Sequence, residues 1–314
     1  MRSRARRQIE AAWRGEAPVT AALLRGASLP YGLAMRGRNA LFDLGLRKQH
    51  RLPRPVISVG NLTTGGTGKT PVVAWLAGQL RAAGHVPGVL TRGYAARAGE
   101  VDDEVLELRR LLNDDELVEP NPNRIAGATT LLDRRPDVSV LLLDDGFQHR
   151  RVARDFDLVL LDATNPFGFG HVLPRGLLRE PVNGLRRASA VLVTKCDRAD
   201  PADALARVPA DLPHFTARQR LTVDAPTPFA AFCGLGNPDA FFNALPTQPK
   251  LTRTYPDHHR YTAADADDLR GLGLPLVCTR KDAVKLTTFD LPLHVADLTL
   301  DVDPGLAELL IKQV

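Results

Sequence analysis

The sequence predicts an α/β fold in which helices cover both faces of a mostly parallel β-sheet. Three observations support this prediction. Strand-like and helix-like segments alternate along most of the chain. Residues 138–143 are apolar except for Ser139, which is typical of a strand buried on both faces. The apolar residues 56–59 run into a glycine-rich turn and then into a helical pattern, the order that positions a phosphate-binding loop.

Length and composition limit the class of protein. A chain of 314 residues can bury one or two substantial cores, and we predict two domains. The three cysteines lie far apart without C-x-x-C spacing, which indicates neither a disulfide framework nor a zinc site and favours a reducing, cytoplasmic setting. The sequence has neither the apolar run of a secretory signal nor about 18 consecutive apolar residues. We therefore expect neither export nor a membrane span.

Positive charge is concentrated in residues 1–54, the N-terminal segment, which holds twelve Arg and Lys residues against three acids. Leu, Met, Phe, Tyr and Trp residues are interleaved with these cations. The pattern favours an amphipathic helix that lies on an anionic membrane surface. Two other interpretations remain open, a helical extension packed on the core and a basic nucleic-acid-binding arm, although such arms rarely carry so many large apolar side chains.

The glycine-rich turn predicts a nucleotide-binding site. Backbone N–H groups in such a turn surround phosphate oxygens, because glycine does not block their approach. Lys69 is placed to reach the β- and γ-phosphates, and the Thr70 hydroxyl to bind Mg²⁺ at the start of a helix. A plain turn is the alternative, since the usual motif has glycine where this chain has Thr63. The predicted nucleotide-binding residues are Thr63, Thr64, Gly65, Gly66, Thr67, Gly68, Lys69 and Thr70.

The elements after this loop follow in regular order. The patterns predict helices at 72–83 and 103–112 and strands at 86–91, 138–143, 157–162 and 190–194. Asp144 and Asp145 follow the strand at 138–143, and ligands bind at the carboxyl ends of strands in open α/β sheets. We interpret this pair as the Walker B acids that hold magnesium, with a common Asp-Asp-Gly turn as the alternative.

Two further segments have features of functional sites. Thr194-Lys195-Cys196-Asp197 begins at the end of the strand at 190–194 and resembles the base-reading motif of GTPases. Residues 168–181 form a loop rich in Gly, Pro and charge, and loops of this length are usually functional or disordered.

The composition changes near residue 222, where prolines become more frequent and a strand at 229–232 starts a smaller unit. We predict three regions: the N-terminal segment 1–54, packed on the first domain, a nucleotide-binding domain at 55–221, and a smaller α/β domain at 222–314. For the last helix, 306–312, the sequence leaves open whether it packs on the first or on the second domain. His258 and His259 make a poor zinc site without a third ligand. For His258 we predict a role in the cleft between the domains, with an exposed turn as the alternative for His259.

Six motifs occur in order along nearly the whole chain. They are GNL at 60–62 with GGTGKTP at 65–71, RGY at 92–94, DDGFQH at 144–149, LP at 173–174 with LRE at 178–180, DH at 257–258 and KDAVK at 281–285. Together they resemble the tetraacyldisaccharide 4'-kinase family of lipid A biosynthesis. Members of that family also carry a hydroxy residue at the position of Thr63.

The resemblance implies a P-loop NTPase-type fold and transfer of a phosphoryl group from ATP, with Mg²⁺, to the 4'-hydroxyl of an acylated glucosamine disaccharide 1-phosphate. It implies a peripheral location on the cytoplasmic face of the inner membrane, and neither nucleic acid nor an obligate protein partner is expected. Two alternatives come from other classes. One is a GTPase-like metallochaperone or switch protein, which the motif ending at Asp197 favours, and the other is a membrane adaptor that holds nucleotide without turnover.

The resemblance also implies residue roles. Asp103 aligns with the acid of a Gly-Asp-Glu group and is the implied base, with Asp102 as the neighbouring alternative. His258 or Asp145 is implied as its partner, and Lys69 as a phosphate-binding catalytic residue. The implied magnesium ligands are Thr70, Asp144 and Glu180. The implied substrate contacts, with surface ion pairing as the alternative, are Arg92, Tyr94, Arg124, Gln148, His149 and Arg179. Arg175 stands where the family usually has a small residue.

Overall fold

A computed structural model of the chain describes residues 2–93, 103–236, 238–256 and 259–314, with side chains described from residue 8 onwards and, in the helix that begins at Asp103, from residue 105. The chain divides into two compact units. The first unit comprises Met1–Arg218 and Val302–Val314, and the second comprises Gln219–Asp301.

The first unit alternates helices with strands. Its helices up to residue 218 are α1 (Arg2–Trp13), α2 (Pro18–Asp43), α3 (Lys69–Ala82), α4 (Asp103–Leu112), α5 (Arg124–Arg134) and α6 (Ala202–Leu205), with 3₁₀ turns at Asp115–Leu117, Gly168–Gly170 and Val182–Arg187. Its strands are β1 (Val56–Asn61), β2 (Pro87–Thr91), β3 (Val118–Pro120), β4 (Val140–Asp144), β5 (Phe156–Asp162), β6 (Ala190–Thr194) and the first half of β7 (His214–Thr222).

The strands of the first unit pair in parallel, in the order β3-β2-β4-β1-β5-β6-β7. Every residue of β1, β2, β4 and β6 is buried, which explains why few of their residues are polar. Because β1 lies between β4 and β5, the glycine-rich loop after β1 and the acids at the end of β4 meet at the same edge of the sheet.

The second unit also alternates strands with helices. It contains β8 (Ala230–Cys233), α7 (Pro238–Ala244), β9 (Leu251–Thr254), α8 (Ala263–Gly271), β10 (Leu276–Thr279), α9 (Arg280–Lys285), a 3₁₀ turn at Thr287–Phe289 and β11 (Leu293–Val302). These strands are parallel, in the order β11-β10-β8-β9. Ala231 enters one hydrophobic core and Phe232 another, because successive side chains of a strand point to opposite faces.

The last helix, α10 (Pro304–Ile311), belongs to the first unit and packs against α3. Its start is fixed to the first unit by the backbone N–H of Asp303, which donates to the carbonyl oxygen of Thr216 at 3.0 Å. Leu306 and Leu310 are buried on its inner face.

The predicted α/β fold with a mostly parallel sheet is confirmed, with shifted boundaries. The helix predicted from residue 72 begins at Lys69, because Gly68 caps it in a left-handed conformation and Pro71 occupies the first turn, where a missing N–H is tolerated. The strands β3, β7, β9 and β11 have no counterpart in the sequence prediction. They are short, or carry polar and partly exposed residues that mask an apolar pattern.

The N-terminal segment forms α1 and α2, and one face of α2 packs on the rest of the first unit. Phe42 is buried beneath the guanidinium group of Arg150, which also donates to the Asp43 carboxylate at 2.7 Å. The Trp13 indole N–H donates to the carbonyl oxygen of Pro174 at 2.9 Å. In the described ranges, no helix combines the length and the apolarity that crossing a bilayer requires.

Replacing Gly60 by alanine is expected to destabilise the first unit. A Cβ at this position would lie 2.6 Å from both the Cβ and the backbone N of Phe147, a fully buried residue. Overpacking of this kind should lower the free energy of unfolding by about 3 kcal/mol in urea denaturation. Gly78→Ala is the control, because a Cβ added there would meet nothing within 4 Å and alanine favours the helix interior. Equal stability of the two variants would contradict the prediction.

Candidate active site

The loop between β1 and α3 depends on two glycines with positive φ angles. Gly65 has a φ of +119° and Gly68 a φ of +79°, in the region where residues with a side chain are strained. Gly68 ends the loop and caps α3. Since the first N–H groups of an α-helix have no intrahelical acceptor, those at the start of α3 are available to an anion.

Side chains at the ends of β1 and β6 bind the carbonyl groups of this loop. Asn61 donates through Nδ2 to the carbonyl oxygen of Thr63 at 2.8 Å, and the Thr194 hydroxyl donates to that of Thr67 at 2.9 Å. Lys195 donates through Nζ to the carbonyl oxygen of Gly66 at 2.7 Å. Because the N–H of a trans peptide points away from its carbonyl, the bond from Thr194 directs the amide of the following residue to the opposite side of the loop.

Lys69 and Asp145 lie together beside the loop. The Lys69 ammonium is 3.4 Å from Asn61 Oδ1 and 3.5 Å from Asp145 Oδ1. Arg179 donates through Nη1 to both carboxylate oxygens of Asp145, each at 2.8 Å. Burial alone would raise the pKa of Asp145, but Lys69 and Arg179 outweigh it and hold the pKa below its usual value. An ionised carboxylate therefore lies between two cations.

Local backbone geometry positions Asp145. Its φ is +53°, and the next residue, Gly146, has no room for a side chain, because a Cβ there would lie 2.6 Å from Ser58 Oγ and 2.7 Å from Leu143 Cβ. The sharp turn at the end of β4 thus separates the two acids of the predicted pair, with Asp144 inside the strand and Asp145 beyond it.

Asp144 is 2% exposed and is anchored by polar neighbours. Its Oδ2 accepts a hydrogen bond from the Thr91 hydroxyl at 3.1 Å, and its backbone carbonyl accepts one from Arg124 Nη2 at 3.0 Å. Arg124 also donates to the carbonyl oxygen of Asn121 at 2.7 Å. Burial lowers the pKa of Arg124 to about 10, against the opposing effect of Asp144 and Asp145. These contacts make Arg124 a buried support of the acid pair.

Glu180 connects the N-terminal segment to the site. It is 1% exposed, and its carboxylate accepts hydrogen bonds from Asn39 Nδ2 and Arg187 Nη2, both at 2.8 Å, and from Gln148 Nε2 at 3.0 Å. The Tyr31 hydroxyl of α2 donates to the carbonyl oxygen of Arg179 at 2.7 Å. Glu180 therefore orders side chains of α2 and of the loop after β4, and its role as a magnesium ligand stays a prediction.

Sequence reasoning missed several of these supporting residues. Asn39 carries no motif signal, and Asn61 belongs to the GNL motif at 60–62 without a predicted role. Thr194 and Lys195 belong to the segment that resembles a base-reading motif. In the structure these two residues bind the backbone of the phosphate loop, and Lys195 also forms a short ion pair with Asp162 at the end of β5. A polar pair at the end of β6, which β5 separates from β1, was the available signal.

The remaining predicted residues divide into two groups. Arg92 is exposed just after β2, and His149 follows the acid pair. Burial, reinforced by Arg124 and Arg92, lowers the pKa of His149 to about 4, so its imidazole is neutral near pH 7. Tyr94 and His258 and the side chain of Asp103 lie outside the described residues. The roles predicted for all of them stay predictions.

The oxygen donors at the end of the loop fit magnesium bound together with phosphate. Thr70 supplies a hydroxyl and Asp144 a carboxylate, and Mg²⁺ is commonly held by one or two such groups plus substrate phosphates. Within the described part of the chain, no group of three or more His, Cys, Asp or Glu side chains forms a metal site of its own. The donor set therefore suits a metal that enters with nucleotide.

Comparison with known proteins agrees with this geometry. The family model for tetraacyldisaccharide-1-P 4'-kinase matches residues 20–314. The tetraacyldisaccharide 4'-kinase of Anaeromyxobacter dehalogenans strain 2CP-C is 37% identical over 326 residues, covering 88% of this chain and 86% of the relative. That of Pseudomonas aeruginosa strain LESB58 is 37% identical over 301 residues, covering 90% of this chain and 89% of the relative.

A solved structure is also similar. The "apo" form of LpxK from Aquifex aeolicus, crystallised in complex with ATP, matches with a TM-score of 0.69 and 27% sequence identity. The match covers 94% of this chain and 99% of that chain. The resemblance inferred from six sequence motifs is thus confirmed over nearly the whole length, and the chain belongs to the tetraacyldisaccharide-1-P 4'-kinase family.

Proposed function

We propose that this chain transfers the γ-phosphoryl group of ATP to the 4'-hydroxyl of a tetraacyldisaccharide 1-phosphate. The observation that carries the proposal is the alternation of charge at the loop, where the ionised Asp145 lies between Lys69 and Arg179. The names of the relatives support the choice of acceptor, and the ATP complex of the similar structure supports the choice of donor.

Phosphoryl transfer needs positioning and charge stabilisation more than covalent chemistry. Lys69 and the amides at the start of α3 bind the phosphates, and Arg179 adds a second cation whose orientation Asp145 fixes. Thr70 and Asp144 would hold Mg²⁺, which would supply positive charge to the phosphate oxygens when bound. Asn61, Thr194 and Lys195 keep the loop in the shape that accepts the phosphates.

The acceptor hydroxyl must lose a proton as it attacks. Asp103 is the base of this proposal, and His258 is its partner, because a neighbouring imidazole stabilises the shift of charge onto a carboxyl group. The support comes from the position of these residues in the family motifs, at the start of α4 and in the Asp257-His258 pair.

A mixed-micelle assay with radiolabelled ATP, Mg²⁺ and tetraacyldisaccharide 1-phosphate tests the proposed activity. We expect wild-type protein to move the label to the lipid, and ATP to be a better donor than GTP. Absence of labelled lipid with folded wild-type protein would overturn the proposal. Hydrolysis of GTP in its place would select the switch-protein alternative, for which the motif ending at Asp197 is the sequence signal.

We also propose that α2 lies on the cytoplasmic surface of the inner membrane. Val19, Leu23, Leu29 and Leu33 are 65–75% exposed, and at 3.6 residues per turn they share about a third of the helix circumference. This exposed face is opposite the face that carries Ser28 and the other packing residues. A helix with one packed face and one exposed apolar face suits an enzyme whose acceptor has its acyl chains in a bilayer.

Replacing Leu23 and Leu33 together by glutamate is expected to weaken binding to anionic phospholipid vesicles by at least about tenfold in a sedimentation assay. Each leucine contributes about 1.5 kcal/mol or more when its side chain leaves water, and the new carboxylates are repelled by the anionic surface. Leu106→Glu is the control, because Leu106 is 50% exposed and belongs to a different helix, α4. The same vesicle affinity for the double variant and the control would rule out this face as the membrane contact.

A further inference from the structure

Arg175 has two buried guanidinium nitrogens whose N–H groups are unused. Its Nε and Nη1 are buried and have no hydrogen-bond partner in the part of the chain that the structure describes. Arg109, Arg124, Arg150 and Arg187 also have a buried Nε without a partner, and the last three donate through another nitrogen. Arg175 differs from all four in having two such nitrogens. Burying an unsatisfied charged donor costs free energy, so such a group is expected to have a partner outside the protein.

Two other basic side chains lie near Arg175. Burial lowers the pKa of His171, and Arg175 and Arg25 lower it further, so both guanidinium groups act on this imidazole. No carboxylate is among the groups that shift it. Arg25 comes from α2, whereas His171 and Arg175 come from the loop after β5. We call these three residues the basic cluster, and the charge of its two guanidinium groups suits an anion.

The backbone around Arg175 is held firmly against the N-terminal helices. Its backbone N–H donates to Ser28 Oγ at 3.0 Å, and the Ser28 hydroxyl donates to the carbonyl oxygen of Val172 at 3.0 Å. The indole of Trp13 donates to the neighbouring Pro174 carbonyl and stacks on the ring of Phe169, with centroids 5.9 Å apart. The backbone that carries Arg175 is therefore held by contacts to both α1 and α2.

The position of the cluster relates it to the phosphoryl-transfer site. Ser28 holds the backbone at Arg175, and Tyr31 holds the backbone at Arg179. These two helix residues are three positions apart, which is about 4.5 Å along the axis of α2. The opposite side of the same helix carries the exposed apolar face that includes Leu23. The segment that carries Arg175 and Arg179 thus packs against the face of α2 that lies opposite the proposed membrane contact.

We propose that Arg175, assisted by Arg25 and His171, binds the 1-phosphate of the acylated disaccharide. This inference rests on the proposed function. The acceptor carries its phosphate at the end opposite the 4'-hydroxyl, so it needs a cationic site near the transfer site but separate from it. A guanidinium group offers paired donors to phosphate oxygens, and two unused N–H groups on Arg175 match that need. An anionic phospholipid headgroup is the other source of the same chemistry.

Kinetics with two acceptors test the proposal in mixed micelles of neutral detergent. One acceptor is tetraacyldisaccharide 1-phosphate, and the other is the same lipid with a hydroxyl at position 1. For Arg175→Ala we expect KM for the phosphorylated acceptor to rise about tenfold or more, the strength of a hydrogen bond to a charged group. The KM for the hydroxyl acceptor, the KM for ATP and kcat at saturation should stay at their wild-type values.

Matched variants make the result specific. Arg175→Lys should restore part of the affinity, because it keeps the charge but loses the paired donors. Arg36→Ala, at an exposed arginine of α2, should behave as wild type. An equal effect of Arg175→Ala on both acceptors, or no effect, would overturn the proposal. An effect that appears only after anionic phospholipid is added would also overturn it, since the site would then bind phospholipid headgroups instead of the acceptor. Wild-type protein that labels no lipid would instead refute the proposed function itself.

Discussion

Lys69→Ala should lower kcat for lipid phosphorylation by about 10³-fold, because fixed positive groups near the transferred phosphoryl supply much of the stabilisation in such reactions. The Lys69 ammonium is already aligned by Asn61 and Asp145, at 3.4 and 3.5 Å. The measurement is label transfer at saturating ATP and acceptor, with thermal unfolding to show that the variant is folded.

Lys312→Ala is the matched control for this prediction. Lys312 is an exposed lysine of the same unit, at the end of α10 and far along the chain from the loop, so its loss should leave kcat unchanged. If the Lys69 variant retained kcat within about tenfold of wild type, the phosphate role of Lys69 would be wrong. The lysine would then serve only to neutralise Asp145.

Asp103→Asn should lower kcat by about 10²–10⁴-fold, which is the usual contribution of a positioned general base. The amide keeps the size and the polarity of the side chain but cannot take a proton from the acceptor hydroxyl. We expect KM for ATP to stay near its wild-type value, since the base acts on the acceptor. A pH–rate profile adds a second readout, because the acidic limb that reports the base should disappear in the variant.

The neighbouring acids distinguish the base from its alternatives. Asp102→Asn and Glu104→Gln remove the same charge from the same chain segment, and both should retain most of the wild-type kcat. Loss of activity in Asp102→Asn but not in Asp103→Asn would move the base by one residue. Equal, small losses in all three variants would show that the segment contributes only a general negative field.

Much of the fold follows from local patterns in the sequence. Strands buried on both faces have continuous apolar runs, so β4, β5 and β6 are recognisable without partners. The half-exposed β7 and β11 lack such runs, because their residues alternate between packed and solvated sides. Pattern recognition fails for these strands because their stability comes from pairing with other strands.

The residues of the site divide in the same way. The glycine-rich loop and the acids at the end of β4 are readable because backbone geometry demands glycine and because strand ends gather ligands. The hydrogen bonds from Thr194 and Lys195 to the loop cannot be recognised from the sequence. They exist only because β6 lies close enough to β1 for its last residues to reach the carbonyl groups of the loop.

The sequence by itself therefore determined the fold class, the phosphate loop, the family and the cationic, apolar character of the N-terminal segment. Only the tertiary structure decided which side chains meet. Arg179 and Asp145 are 34 residues apart, and Asn39 and Glu180 are 141 apart. The physical reason is that such contacts depend on the order of the strands and on which face of α2 is buried, and both are set by the packing of the whole unit rather than by any local stretch of chain.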